Sequence, residues 1–228
     1  MKGVGLILIG IMSLFAANTT KGQTLAAKDS AYNNWYYDSR ELLYQKLKGT
    51  QYDVIFFGNS ITERGPWEEL IGNRYVVGNR GIGGDNTYGM KARIADIMLS
   101  APQKIFLMMG INDIGRGLTT STTLNNYEQI IRIIQAKSPK TKIYLQSTLQ
   151  LNEGLLIVDY MKNKSHMVYA LNEGIQNLAN KYNLTFIDLN EVLADDGVLK
   201  AEYTKDGIHL NADAYIRWVE YLKEKKHL

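Results

Sequence analysis

Three residues in this sequence have the types and spacing that nucleophilic chemistry needs. Ser60 stands in Gly58-Asn59-Ser60-Ile61-Thr62, directly after the apolar run Asp53-Val54-Ile55-Phe56-Phe57. A serine hydroxyl is a weak nucleophile and requires a base within hydrogen-bond reach. The sequence holds three histidines, so the base can be sought by elimination. His227 is the penultimate residue, where a chain end is expected to fray. His166 begins a helical pattern after a long irregular stretch, and is read as a cap or a substrate contact. His209 lies in Lys205-Asp206-Gly207-Ile208-His209-Leu210-Asn211, with a carboxylate three residues before it. Such a carboxylate can accept the second ring N–H and fix the tautomer. Ser60, His209 and Asp206 are therefore the candidate nucleophile, base and orienting acid.

Acyl transfer by such a group also needs donors for a developing oxyanion. The turn Gly81-Ile82-Gly83-Gly84-Asp85 lets backbone approach a ligand with no side chain in the way, and Gly84 is the candidate N–H. Asn112, in Gly110-Ile111-Asn112-Asp113, is the candidate side-chain donor, beside the N–H of Ser60 itself. Asn59, Asp85, Gln146 and His166 are expected to contact substrate. Each segment has a competing reading. The glycine turn lacks the position and the Gly-x-Gly-x-x-Gly spacing of a dinucleotide site. Asp85, Asp113, Asp206 and His209 show no metal-ligand spacing, and no metal or organic cofactor is expected. Thr62 occupies the place of the last glycine in Gly-x-Ser-x-Gly, which argues against an ordinary α/β-hydrolase.

The elements that must hold these residues follow from periodicity. Short apolar runs at 53–57, 75–77, 104–109, 142–145 and 184–187 read as strands. Helical patterns cover 32–47, 87–99, 124–136, 166–182 and 212–222, with a short helix opened by Pro66. Alternation of this kind implies βαβ units and a three-layer α/β/α sandwich, with a central five-stranded parallel sheet in flavodoxin-like order. In such a sheet ligands bind beyond the carboxyl ends of the strands, where all three small-residue segments fall. The stretch 146–165 has no period and is expected to be functional.

Residues 1–22 combine Lys2, an apolar run over 4–15 and a short polar stretch, the pattern of a secretory signal peptide, leaving 23–228 as a single domain. The apolar run is shorter than a spanning helix, so no stable membrane insertion is expected after cleavage, and the protein is expected to be exported, periplasmic or secreted. Removing Lys2 and Lys21 takes the formal charge from +3 to +1. That balance offers little to nucleic acid, and the basic tail at 223–227 reads as a solvated last helical turn. Cysteine is absent, which excludes disulfides, thiolate metal sites and a lipid anchor on cysteine.

Taken together, Gly58-Asn59-Ser60-Ile61-Thr62, Gly81-Ile82-Gly83-Gly84-Asp85, Gly110-Ile111-Asn112-Asp113 and Asp206-Gly207-Ile208-His209-Leu210 resemble, in order, the four blocks of the SGNH hydrolases, also called the GDSL esterase/lipase family. The sequence departs from the family name at Asn59, where Asp is usual, and at Ile61, where Leu is usual. The resemblance implies a Ser60–His209–Asp206 triad and an oxyanion hole of Ser60, Gly84 and Asn112. The Gly-Ile-Gly-Gly-Asp form is similar to the acetylhydrolase and carbohydrate acetylesterase branch, implying a short acyl group on a small-molecule or glycan ester. Two alternatives accompany that expectation. One is a lysophospholipase or short-chain lipase with an apolar rim from Leu149, Leu151, Leu155, Leu156, Ile157 and Val158; the other is a catalytically idle carbohydrate-binding module.

Overall fold

The structure is a computed structural model that describes residues 30–228. The segment 1–22, expected to be a signal peptide, lies outside the described residues. Five strands, β1 (Val54–Gly58), β2 (Val77–Gly81), β3 (Lys104–Met108), β4 (Lys142–Gln146) and β5 (Thr185–Ile187), form one parallel sheet of order β2-β1-β3-β4-β5. This is the expected flavodoxin-like α/β/α sandwich. Strand β1 lies inside the sheet between β2 and β3, and all five of its residues are buried, which is why it reads as a continuous apolar run rather than an alternating one.

The helices, in chain order, are α1 (Trp35–Lys46), α2 (Ser60–Glu63), α3 (Trp67–Ile71), α4 (Thr87–Ile97), α5 (Ile111–Gly115), α6 (Thr120–Lys137), α7 (Ser165–Tyr182), α8 (Asn190–Leu193) and α9 (Ala212–Glu224). A hairpin of β6 (Ala194–Asp195) and β7 (Val198–Leu199) precedes the last loop. One sheet face carries an aromatic row, because Phe56, Phe106 and Tyr144 are register partners on β1, β3 and β4. Their rings stack at 4.9 and 4.6 Å, and Trp67 of α3 stacks on Phe56 at 4.0 Å. Trp218 of α9 closes this layer edge-on to Trp67. Aromatic contacts of this kind add to the area they bury. Helices α4, α6 and α7 pack beside one another as the other layer.

Two local expectations require correction. Strand β2 runs from Val77 to Gly81 instead of ending at 77, so Asn79-Arg80-Gly81 is strand rather than loop. The apolar signal is missing because β2 is an edge strand whose buried polar residue, Arg80, lies over the rings of Tyr44 and Tyr52. His227 is not frayed: its carbonyl accepts from Lys104 Nζ at 2.8 Å and its ring lies 5.2 Å from that of Tyr144. Burial, followed by the nearby charges of Lys104 and Lys225, lowers its pKa.

Candidate active site

Ser60 is the first residue of α2, immediately past the carboxyl end of β1. Asn59 forms that helix start, its side chain accepting from Ile61 N–H at 3.0 Å. Asn and Asp serve about equally as N-caps, which gives the departure at Asn59 a physical basis. Strand and helix meet closely here because two glycines allow it. A Cβ on Gly58 would stand 2.2 Å from Thr62 Oγ1 and 2.5 Å from the Met108 carbonyl; one on Gly81 would stand 2.2 Å from the Glu63 nitrogen.

The last loop brings the histidine over from the other end of the sequence. An antiparallel bridge between Thr204 and Leu210 closes the loop, and Asn211 caps α9 behind it through Ala214 N–H. Gly207 has φ +79°, and a Cβ there would meet the Asn152 carbonyl at 2.4 Å, so glycine is needed twice over. Within the loop Asp206 Oδ1 accepts the N–H groups of His209 and Ile208 at 2.7 and 3.0 Å, and Asp206 Oδ2 faces His209 Nδ1 at 2.6 Å. Burial alone would raise the Asp206 pKa, but these hydrogen bonds and the imidazole outweigh it and hold the carboxyl below its ordinary range. With Nδ1–H donated to the carboxylate, Nε2 presents its lone pair to the Ser60 hydroxyl, 2.9 Å away. The tie between the ends of this chain is mutual, since Tyr215 of α9 donates its hydroxyl to the Ile61 carbonyl at 2.6 Å.

The glycine turn and the third segment meet beside Ser60. Gly84 has φ +75°, a left-handed conformation that favours glycine. The two carbonyls that follow are held, for Arg116 donates to the Gly84 carbonyl at 3.1 Å and Asn112 Nδ2 to the Asp85 carbonyl at 2.8 Å. One amide hydrogen of Asn112 is thereby engaged and the other is left for a ligand. Ser60, as the first helical residue, has no intrahelical acceptor for its own N–H.

Three of the four residues expected to touch substrate are buried in other roles. Asn59 is 1% exposed and serves as the helix cap. Asp85, also 1% exposed, lies beneath the site in a 2.9 Å ion pair with Arg93, and desolvation pushes its pKa up to about 6. Gln146 is buried, its Oε1 accepting from Trp218 Nε1 at 2.9 Å. His166 is exposed in the first turn of α7 and is hydrogen-bonded to none of Ser60, Asp206 and His209. Two supporting residues escaped the sequence reading. Arg93 joins the strand ends, donating to the carbonyls of Arg80 and Gly58 at 2.9 and 3.0 Å. Its signal was present, since it falls on the same helical face as Met90, Ile94 and Ile97 and is as buried as they are. Glu63 gave no such signal, as a charged residue in a four-residue helix looks merely solvated. Among the described residues no cluster of three or more His, Asp or Glu is arranged to hold a metal ion, and no helix is long and apolar enough to cross a membrane.

A parallel sheet of this order, flanked by helices and with a serine just past the carboxyl end of β1, defines an α/β/α fold of the SGNH type. The chain belongs to the GDSL-like Lipase/Acylhydrolase family, whose sequence pattern matches residues 56–217. Among solved structures it is similar to a candidate platelet activating factor protein from Streptococcus pneumonia, at 31% identity and TM-score 0.75, covering 83% of this chain and 92% of that one. It also shares its fold with a candidate acylhydrolase from Bacteroides fragilis (21% identity, TM-score 0.73, 86% and 98% covered). A carbohydrate acetylesterase from Sinorhizobium meliloti shares the fold at 17% identity and TM-score 0.62, with 76% and 97% covered. No curated protein matches the sequence.

Proposed function

We propose that this protein is an exported serine esterase that removes short acyl groups, acetyl above all, from carbohydrate esters. The observation that carries the reading is the unbroken hydrogen-bond chain from Ser60 Oγ through both nitrogens of His209 to Asp206. In the first step His209 Nε2 takes the proton as Ser60 Oγ attacks the acyl carbon. The N–H groups of Ser60 and Gly84 and the free amide hydrogen of Asn112 stabilise the oxyanion. His209 then gives its proton to the leaving alcohol, and water, activated by the same base, clears the acyl-enzyme. Asp206 orients the imidazole and balances its charge while keeping its own proton state. This chemistry calls for no metal or organic cofactor.

Support for acetylated carbohydrate comes from the Gly-Ile-Gly-Gly-Asp form of the second block and from the fold shared with the Sinorhizobium acetylesterase. A lysophospholipase or short-chain lipase is the second reading, and one observation favours it. Of the six apolar residues expected to form a rim, Leu149 and Leu151 are buried and Leu156 and Val158 pack on the core, but Leu155 is 38% and Ile157 78% exposed. Two experiments test these readings. Acid quenching during turnover of p-nitrophenyl acetate is expected to trap one acetyl mass on the peptide bearing Ser60; label on any other peptide would refute the mechanism. A panel of O-acetylated sugars run beside lysophospholipids and longer-chain esters is expected to favour the sugars. Faster turnover of the lipids than of every sugar would transfer the assignment to the second reading.

A further inference from the structure

The side chain of Glu63 occupies a position that the hydrolytic mechanism above does not use. It is 15% exposed and fully engaged. Oε2 accepts the Gly83 N–H at 2.8 Å, while Oε1 accepts the Tyr36 hydroxyl at 2.6 Å and faces Arg40 Nε at 3.1 Å. The backbone of Glu63 belongs to the helix that Ser60 begins, its N–H donating to the Asn59 carbonyl at 2.9 Å. The carboxylate therefore joins the backbone that carries the nucleophile to the Ile82–Gly83 peptide, one unit before the peptide that bears the Gly84 N–H. Gly83 is also close to Ser60 itself. A Cβ built there would lie 3.0 Å from Glu63 Oε2, 3.4 Å from Tyr36 and 4.0 Å from Ser60 Cβ.

We infer that Glu63 is a positioning residue for the oxyanion hole, setting the spacing between the Ser60 and Gly84 N–H groups, with Tyr36 and Arg40 of α1 holding its carboxylate in place. The inference rests on the esterase reading. Charge-assisted hydrogen bonds are short and directional, so a carboxylate that takes them from the Gly83 N–H and the Tyr36 hydroxyl, with Arg40 as its counter-charge, is a stiffer spacer than a neutral contact. An oxyanion hole acts through donors fixed in advance at the place where charge develops, and a displaced donor costs turnover rather than substrate binding. By this route α1, which supplies no reacting group, becomes part of the functional architecture.

The test compares wild type with Glu63→Ala, Glu63→Gln and Tyr36→Phe on p-nitrophenyl acetate, with phenylboronic acid as a tetrahedral transition-state mimic. Glu63→Ala is expected to lower kcat by about 10- to 100-fold, less than the loss of a donor itself, with KM almost unchanged. The Ki of phenylboronic acid should rise in step with that fall. Glu63→Gln keeps an acceptor for the Gly83 N–H and should recover most of the loss. Tyr36→Phe leaves the Gly83 contact intact and should give a smaller fall in kcat, which keeps the idea testable should the alanine variant not fold. An unchanged kcat in Glu63→Ala, a loss confined to KM, or a glutamine variant no better than alanine would overturn the inference. A wild type without esterase activity would instead sink the esterase reading on which it stands.

Discussion

The hydrogen bonds of Asp206 carry most of what can be predicted for single residues. Its Oδ1 is taken by two backbone N–H groups, which leaves Oδ2 for the imidazole and fixes the tautomer that a base at Nε2 requires. Replacing Asp206 with Asn reverses that preference at nearly constant shape, so kcat should fall by about 10³–10⁴-fold with little change in KM. Steady-state kinetics on p-nitrophenyl acetate checks this, and a fall of less than tenfold would remove Asp206 from the mechanism. Because the carboxyl is held below its ordinary range, its share of stability is present above the unfolded pKa and fades only as pH falls through the lowered folded value. The acid limb of kcat/KM should therefore carry no ionisation of Asp206 in the ordinary carboxylate range. At this scale Ser60, His209 and Asp206 were legible because the types were scarce: three histidines and one Asp three residues before one of them. Asp85 and Gln146 were misplaced because polarity at a strand end signals either substrate contact or a buried brace. Only the partners, Arg93 and Trp218, decide between them.

The elements of the site are held at contact distance by residues without side chains. Gly58 and Gly81, paired across β1 and β2, let α2 settle on the strand ends. Gly81→Ala places a methyl 2.2 Å from the Glu63 nitrogen, a backbone atom that cannot swing aside. Overpacking of this sort costs about 1–3 kcal/mol, and here it also displaces the helix that begins with Ser60. The expected outcome is a lower urea midpoint together with a fall in kcat; full activity and wild-type stability would contradict the close packing. Buried strands and amphipathic helices were readable from their periods. The extent of β2 was not, because Gly78-Asn79-Arg80-Gly81 has no apolar pattern and owes its strand conformation to pairing with β1. The stretch 146–165 defeated periodicity for a different reason. Its side chains serve several neighbours: Leu149 and Leu151 enter the core, Asn152 contacts Gly207, Glu153 accepts from Ser165, and Lys164 donates to the carbonyls of Ile114 and Gly115.

Across the whole molecule, four distant segments converge through buried polar braces. Arg93 ties β1 and β2 to Asp85, and Asp113 ties α5 to the start of α4 by accepting the N–H and hydroxyl of Thr87. Burial raises the Asp113 pKa from 3.8 to about 6 despite those hydrogen bonds. The folded state thus binds more protons than the unfolded one between pH 3.8 and about 6, and this group's contribution to stability declines as pH rises through that window. Asp113→Asn removes that dependence. Relative to wild type, the variant should gain about 2–3 kcal/mol in urea stability between pH 4 and 7, and a constant difference would contradict the assignment. Helix α1 joins the same frame, since Tyr37 and Tyr44 donate to the carbonyls of Gly89 and Gly81. This is where several tyrosines are spent, a use that composition alone does not distinguish from sugar stacking.

The most direct test of the account is hydrolysis of p-nitrophenyl acetate by wild type and by Ser60→Ala, with folding confirmed by urea unfolding. Because a nucleophile and its base act as a unit, the variant should lose turnover on the order of a millionfold. Equal rates for the two proteins would contradict the assignment of Ser60 as the nucleophile.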